Sequence, residues 1–216
     1  MQSTTEDARF WDRVARKYAR DPIKDMAGYE RTLARTAQLL RPTDAVLEIG
    51  CGTGTSALKV APYVTRVVGS DVSSEMVAIA REKATAQSCS NVEFTVALAE
   101  HAPGTDASFD AVLAFNVLHV IGNRPATLRN VHRLLKPGGL FISKTPCLSE
   151  MNVLLRLAVP GMRLLGKAPF VSFFSASSLQ QEIEDAGFTI MERGRHGSQR
   201  KDARIFLVAR TAEPRP

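Results

Sequence analysis

Apolar and polar positions change their period several times along this chain. Ala45–Ile49 and residues 66–69 are short branched runs, each leading into a Gly or Asp/Ser cluster and then a helix-like stretch. That alternation is expected of βαβ units and a parallel sheet. Beyond Asp71, Ser73 is placed to cap a helix with Glu75 in its first turn and Met76, Ile79 and Ala80 at helical spacing through Lys83. Residues 91–96, 109–115 and 139–144 read as further strands, with a helix over 126–135 between the last two. At the end of the chain, residues 188–193 and 204–209 are separated only by the polar stretch 194–203. Such a short connection makes an antiparallel hairpin, because a parallel pair needs a long crossover.

Two segments stand outside the alternation. In residues 6–20, Phe10, Trp11, Val14 and Tyr18 keep helical spacing, with Arg9, Arg13, Arg16, Lys17 and Arg20 interleaved, up to Asp21 and Pro22. This is an amphipathic helix, and residues 1–28 are read as a helical arm. Residues 148–175 are read as an apolar insertion. Leu154, Leu155, Ala158, Met162 and Leu165 lie around Pro160 and Gly161, with Phe170, Phe173 and Phe174 following.

Composition narrows the class. A chain of 216 residues, 44% hydrophobic and 23% charged, supports one full-sized core. Its 28 basic and 22 acidic residues leave +6, without the dense basic clusters of a nucleic-acid binder. Cys51, Cys89 and Cys147 are odd in number and make no C-x-x-C pair, so neither a disulfide framework nor a cysteine metal site is expected, and a reducing cytoplasm fits best. His101, His132 and His196 show no metal-ligand spacing. No apolar run reaches the roughly 18 residues of a membrane span, and the first twenty residues are too charged for a signal peptide.

The chemistry concentrates after the first strand, where Glu48 and Ile49 lead into Gly50, Cys51, Gly52, Thr53 and Gly54. Missing side chains let a ligand lie against backbone, and the next helix offers N–H donors. Asp71 stands at the end of the second strand, placed to accept hydrogen bonds from ribose hydroxyls. A dinucleotide fingerprint would want Gly or Ala at Thr55. Glu48 would repel a pyrophosphate and suits an ammonium group, which S-adenosylmethionine carries.

Through residues 46–54, 69–73, 109–120 and 133–142 the chain resembles the class I S-adenosylmethionine-dependent methyltransferases. The resemblance implies an α/β, Rossmann-like fold: a seven-stranded, mostly parallel sheet with helices on both faces and a C-terminal antiparallel hairpin, in one domain over residues 1–216. Residue by residue, it implies that Gly50, Gly52 and Gly54, with Cys51 between them, shape the loop around the methionine moiety. Glu48 orients its amino end, Asp71 holds the ribose, and Val72 and Met76 flank the adenine. Asn116 and Val117 lie near the transferable methyl group, and Tyr18 covers the cofactor. One position departs from the family. Where many relatives read Gly-Asp-Ala-Glu after the third strand, this chain reads Ala97, Leu98, Ala99 and Glu100, leaving backbone contacts at Leu98 and Ala99.

Methyl transfer from a sulfonium needs in-line approach of a nucleophile and no obligatory acid or base. His119 is the candidate base for an acceptor that must lose a proton. The exit of the fourth strand lacks the Asx/Ser-Pro-Pro-aromatic segment of nucleic-acid amine methyltransferases, so a small molecule is expected as acceptor. The apolar insertion points to a lipophilic one, and Arg156, Arg163 and Lys167 to a peripheral membrane contact. The competing readings are a noncatalytic nucleoside-cofactor-binding protein, an NAD-dependent oxidoreductase on the same scaffold, and a related transfer such as aminopropyl donation.

Overall fold

The computed structural model describes residues 2–150, 161–163, 168–198 and 202–213. Helices α1 (Gln2–Arg20) and α2 (Met26–Leu39) precede the sheet. Then follow β1 (Ala45–Ile49), α3 (Thr55–Val60), β2 (Arg66–Asp71), α4 (Ser74–Ala86), β3 (Val92–Val96), β4 (Phe109–Phe115), α5 (Arg124–Leu134) and β5 (Leu135–Pro146). Helix α6 (Ala176–Asp185) and the strands β6 (Phe188–Gly194) and β7 (Arg204–Thr211) close the described chain.

The seven strands lie in the order β3-β2-β1-β4-β5-β7-β6. The first five are mutually parallel, and β7 runs antiparallel between β5 and β6. The order in which strands are added reverses between β1 and β4, so their C-terminal ends flank the crevice where open α/β sheets take ligands. Successive residues of β1 and β4 are buried on opposite faces: Leu47, Val112 and Ala114 meet α5 and α6, while Val46, Ala111 and Leu113 meet α3 and α4.

Local chemistry explains most boundaries. Ser73 caps α4, its hydroxyl accepting the Met76 N–H at 3.1 Å, and Asn123 caps α5 in the same way through Ala126. Four points differ from the sequence reading. β5 begins at Leu135, because Phe109 pairs with Leu135 and Ala111 with Leu140, and residues 136–139 are carried as a bulge in the ladder. Residues 26–28, counted with the arm, open α2. Neither α2 nor α6 was read from periodicity. Phe174 is core, 5% exposed beneath the Arg124 guanidinium at 4.3 Å, and not free contact area. Leu154, Leu155, Arg156, Ala158, Leu165 and Lys167 lie outside the described residues.

Candidate cofactor site

The loop after β1 is held by backbone and by two side chains beneath it. The Cys51 N–H donates to the Ser70 carbonyl and the Gly54 N–H to the Cys51 carbonyl, both at 3.0 Å. Asp71 joins the loop to the next helix: Oδ2 accepts the Gly52 N–H and Oδ1 the Ser73 N–H, each at 2.9 Å. Lys83 of α4 reaches under the loop, and its Nζ donates to Thr53 Oγ1 at 2.9 Å and Thr55 Oγ1 at 3.1 Å.

The loop's glycines serve different needs. Gly52, at φ +53°, has nothing within 4 Å of where a Cβ would stand, so its exposed edge is free for a ligand. A Cβ on Gly54, at φ +73°, would lie 2.6 Å from the Phe94 ring and 2.8 Å from Ala80. Gly54 thus lets α3 and α4 close over β3, and it does not line the cavity. Cys51 also points inward: it is 7% exposed, and burial, followed by the charges of Glu48 and Asp71, pushes its thiol well above the usual range.

Two carboxylates define the electrostatics. Glu48 is 2% exposed, and its Oε2 has no hydrogen-bond partner. Burial raises its carboxyl to about 8, an effect the Ala57 backbone hydrogen bond opposes and the Asp71 charge adds to. Burial also raises Asp71, against the hydrogen bonds from Ser73 and Gly52.

Helix α1 forms the roof. Asp12 Oδ1 accepts the Ser73 hydroxyl at 2.6 Å and the Glu75 N–H at 3.1 Å, capping α4 from a different helix. Arg16 makes a bidentate pair with Glu82, and Ala15 is buried with Met76 and Ile79. These contacts hold α1 across a cavity that is open to solvent.

The cavity brings together Tyr18, Gly50, Gly52, Asp71, Val72, Met76, Leu98, Ala99, Asn116 and Val117, all expected from the sequence. Asn116 takes φ +54°, and its N–H donates to the Lys144 carbonyl at 2.7 Å. Asp7, Trp11, Phe115, Val120 and Ile121 also line it and were missed as site residues. For Asp7 and Trp11 the available signal was their helical register with Tyr18. His119 is not part of this lining. Its Nδ1 is buried without a partner, and burial lowers the imidazole to about 4. Its carbonyl accepts the Ser172 N–H at 2.8 Å.

Residues 46–139 match the family model described as a methyltransferase domain. Those residues carry a methyltransferase domain, and in sequence and fold the chain is similar to the class I S-adenosylmethionine-dependent methyltransferases. Among its relatives, an uncharacterized methyltransferase, YcgJ, of Bacillus subtilis is 34% identical over 70% of this chain and 63% of its own length. Phosphoethanolamine N-methyltransferase 1 of Arabidopsis thaliana is 38% identical over 69% of this chain and 30% of its own length. The chain therefore spans less than two thirds of either relative. The crystal structure of magnesium protoporphyrin IX methyltransferase from Synechocystis PCC 6803, with bound SAH, superposes with a TM-score of 0.72 at 20% identity, covering 98% of both chains.

S-adenosylmethionine is this methyltransferase family's cofactor. The residues present fit it. The orphaned Glu48 oxygen is a buried acceptor for an ammonium group, Asp71 keeps lone pairs for ribose hydroxyls, and Val72, Met76 and Leu98 give apolar walls to a purine.

Proposed function

We propose that this methyltransferase binds S-adenosylmethionine in the cavity beneath α1 and directs its methyl group to a small, lipophilic acceptor. The observation that carries the reading is the unpartnered Oε2 of Glu48, buried near the end of β1 within the field of Asp71. An isolated buried carboxylate is costly, and a bound cation offsets that cost.

When bound, the cofactor supplies a methyl carbon on a sulfonium, whose electron pair leaves on sulfur as the acceptor's lone pair bonds to carbon. The protein's part is alignment. Glu48 and Asp71 hold the donor, and Asn116 and Val117 border the reacting end. Phe115, next to Asn116, helps to exclude water from that end.

The small-molecule acceptor is supported by relatives named for phosphoethanolamine and magnesium protoporphyrin IX. Delivery from an anionic lipid surface belongs to the same proposal; among the described residues it rests on Arg163, whose guanidinium lies 5.0 Å from the Phe170 ring centroid. The test is incubation with methyl-labelled S-adenosylmethionine and metabolite or lipid extracts, with and without anionic vesicles. Label should enter an organic-soluble product, faster with vesicles. Donor binding with no labelled product from any extract would leave a noncatalytic binder.

A further inference from the structure

We infer that Asp7, on the first helix, is the side-chain acceptor for the exocyclic amine of the cofactor's adenine and sets the preference for that base. This rests on the reading that the cavity takes S-adenosylmethionine, and it adds a residue that neither the glycine loop nor the second-strand acid identifies.

Asp7, Trp11 and Tyr18 line the cavity from α1. Positions four and eleven residues on return to nearly the same side of a helix, so the three share one face. Eleven residues of helix span about 16 Å, the scale of an extended nucleoside with an amino-acid tail. The direction along the cavity is also set. The Tyr18 hydroxyl is raised by loss of solvent and then by the charges of Asp71 and Glu48, which places it toward the ribose and ammonium end. Trp11 packs with Met76 and Ile79, farther along. Asp7 stands one turn beyond Trp11 and shares the cavity lining with Ala97, Leu98 and Ala99 after β3 and with Val120 and Ile121 after β4.

None of those five side chains can accept a hydrogen bond. Among the lining side chains the carboxylates are Asp7 and Asp71, and Asp71, held by the Gly52 and Ser73 N–H groups, is the one assigned to the ribose. Asp7 Oδ1 accepts the Phe170 N–H at 2.9 Å, which fixes the carboxylate's orientation, while Oδ2 has no partner among the described residues. The helix carrying it is pinned farther along by Asp12 and Arg16. A carboxylate only accepts, so it suits the adenine amine and opposes the 6-oxo group of hypoxanthine.

The experiment is calorimetric binding of S-adenosylhomocysteine and of its deaminated counterpart, S-inosylhomocysteine, to wild type, Asp7→Asn and Asp7→Ala. The ratio of the two affinities cancels any loss from looser docking of α1. Wild type should prefer the adenine form about tenfold or more, as expected for a hydrogen bond to a charged acceptor. In Asp7→Asn the amide oxygen can retain Phe170 while the amide N–H₂ faces the base, so the preference should vanish or reverse. Asp7→Ala should bring the two affinities within about threefold. A ratio unchanged from wild type in both variants would overturn the inference alone; failure of wild type to bind S-adenosylhomocysteine would overturn the cofactor reading with it.

Discussion

Two buried titratable groups on strands either side of β4 teach how to separate this protein's fold from its function. Lys144 of β5 is 4% exposed, and its Nζ donates to the Gly28 carbonyl at 3.1 Å and to Thr32 Oγ1 at 2.8 Å. Around it, Asp25 accepts from Ser198 and pairs with Arg204 at 3.2 Å, and His196 Nδ1 lies 3.1 Å from Thr32 Oγ1. Burial, first among several causes, lowers the Lys144 ammonium. The network fastens α2 to the sheet. Glu48 of β1 is as deeply buried, yet one of its oxygens is bare and burial holds its carboxyl near 8. A buried charge whose hydrogen bonds close within the chain belongs to the architecture; one that stays short of a partner beside a cavity is kept for a ligand.

Substitutions at the two sites should separate stability from binding. Lys144→Ala removes the buried donor shared by the Gly28 carbonyl and Thr32 Oγ1 and opens a cavity, so it should cost about 3 kcal/mol of stability, read as a lower urea midpoint. S-adenosylhomocysteine affinity should stay within about twofold, because α2's seat is distinct from the glycine loop. An equal loss of affinity would erase the distinction.

Glu48→Gln should do the reverse. Affinity for S-adenosylhomocysteine should fall about thirtyfold, near 2 kcal/mol, with folding unharmed. The pH dependence sharpens this. With the carboxyl raised from 4.5 to about 8, the folded, ligand-free protein holds a proton that the unfolded chain has lost. Its contribution to stability is therefore present below pH 4.5 and is lost as pH rises to 8. Glu48→Gln should flatten that decline in thermal melts. Near pH 7 ligand binding should release a proton, seen as a binding enthalpy that varies with buffer ionisation heat. A buffer-independent enthalpy in wild type would mean that Glu48 does not meet the ammonium.

The smallest effect is expected at Lys83, which touches the loop from below. Lys83→Met removes its bonds to Thr53 and Thr55, and should weaken binding about fivefold, near 1 kcal/mol. Amide exchange at residues 52–55 should quicken while the global melt barely moves.

Legibility tracked the way each element earns its burial. β1, β2 and β4 are buried on both faces, so their branched apolar runs announced them. Helix α2 was invisible to the same reading because its buried face is Gly28, Thr32 and Thr36. The threonine hydroxyls bond back to the Gly28 and Thr32 carbonyls at 2.8 Å, and the remaining demand is met by Lys144, more than a hundred residues away. Helix α6 buries only Leu179 and Ile183, too few to show a period, although the capping box of Ser175 and Ser178 marked its start.

The chain's own pattern was enough to determine the alternating parallel sheet, the terminal hairpin and the pairing of a glycine loop with Asp71, because period, turn chemistry and strand ends are local properties. Tertiary structure decided which loop glycines face the cavity, since Gly50 and Gly52 line it while Gly54's need arises from Phe94 and Ala80. It also decided that Asp12 caps a helix 61 residues downstream, and that Asp7, Trp11 and Tyr18 roof the site. Such roles depend on distances between segments remote in sequence, and hydrogen bonds and close contacts are satisfied in space, whatever the separation along the chain.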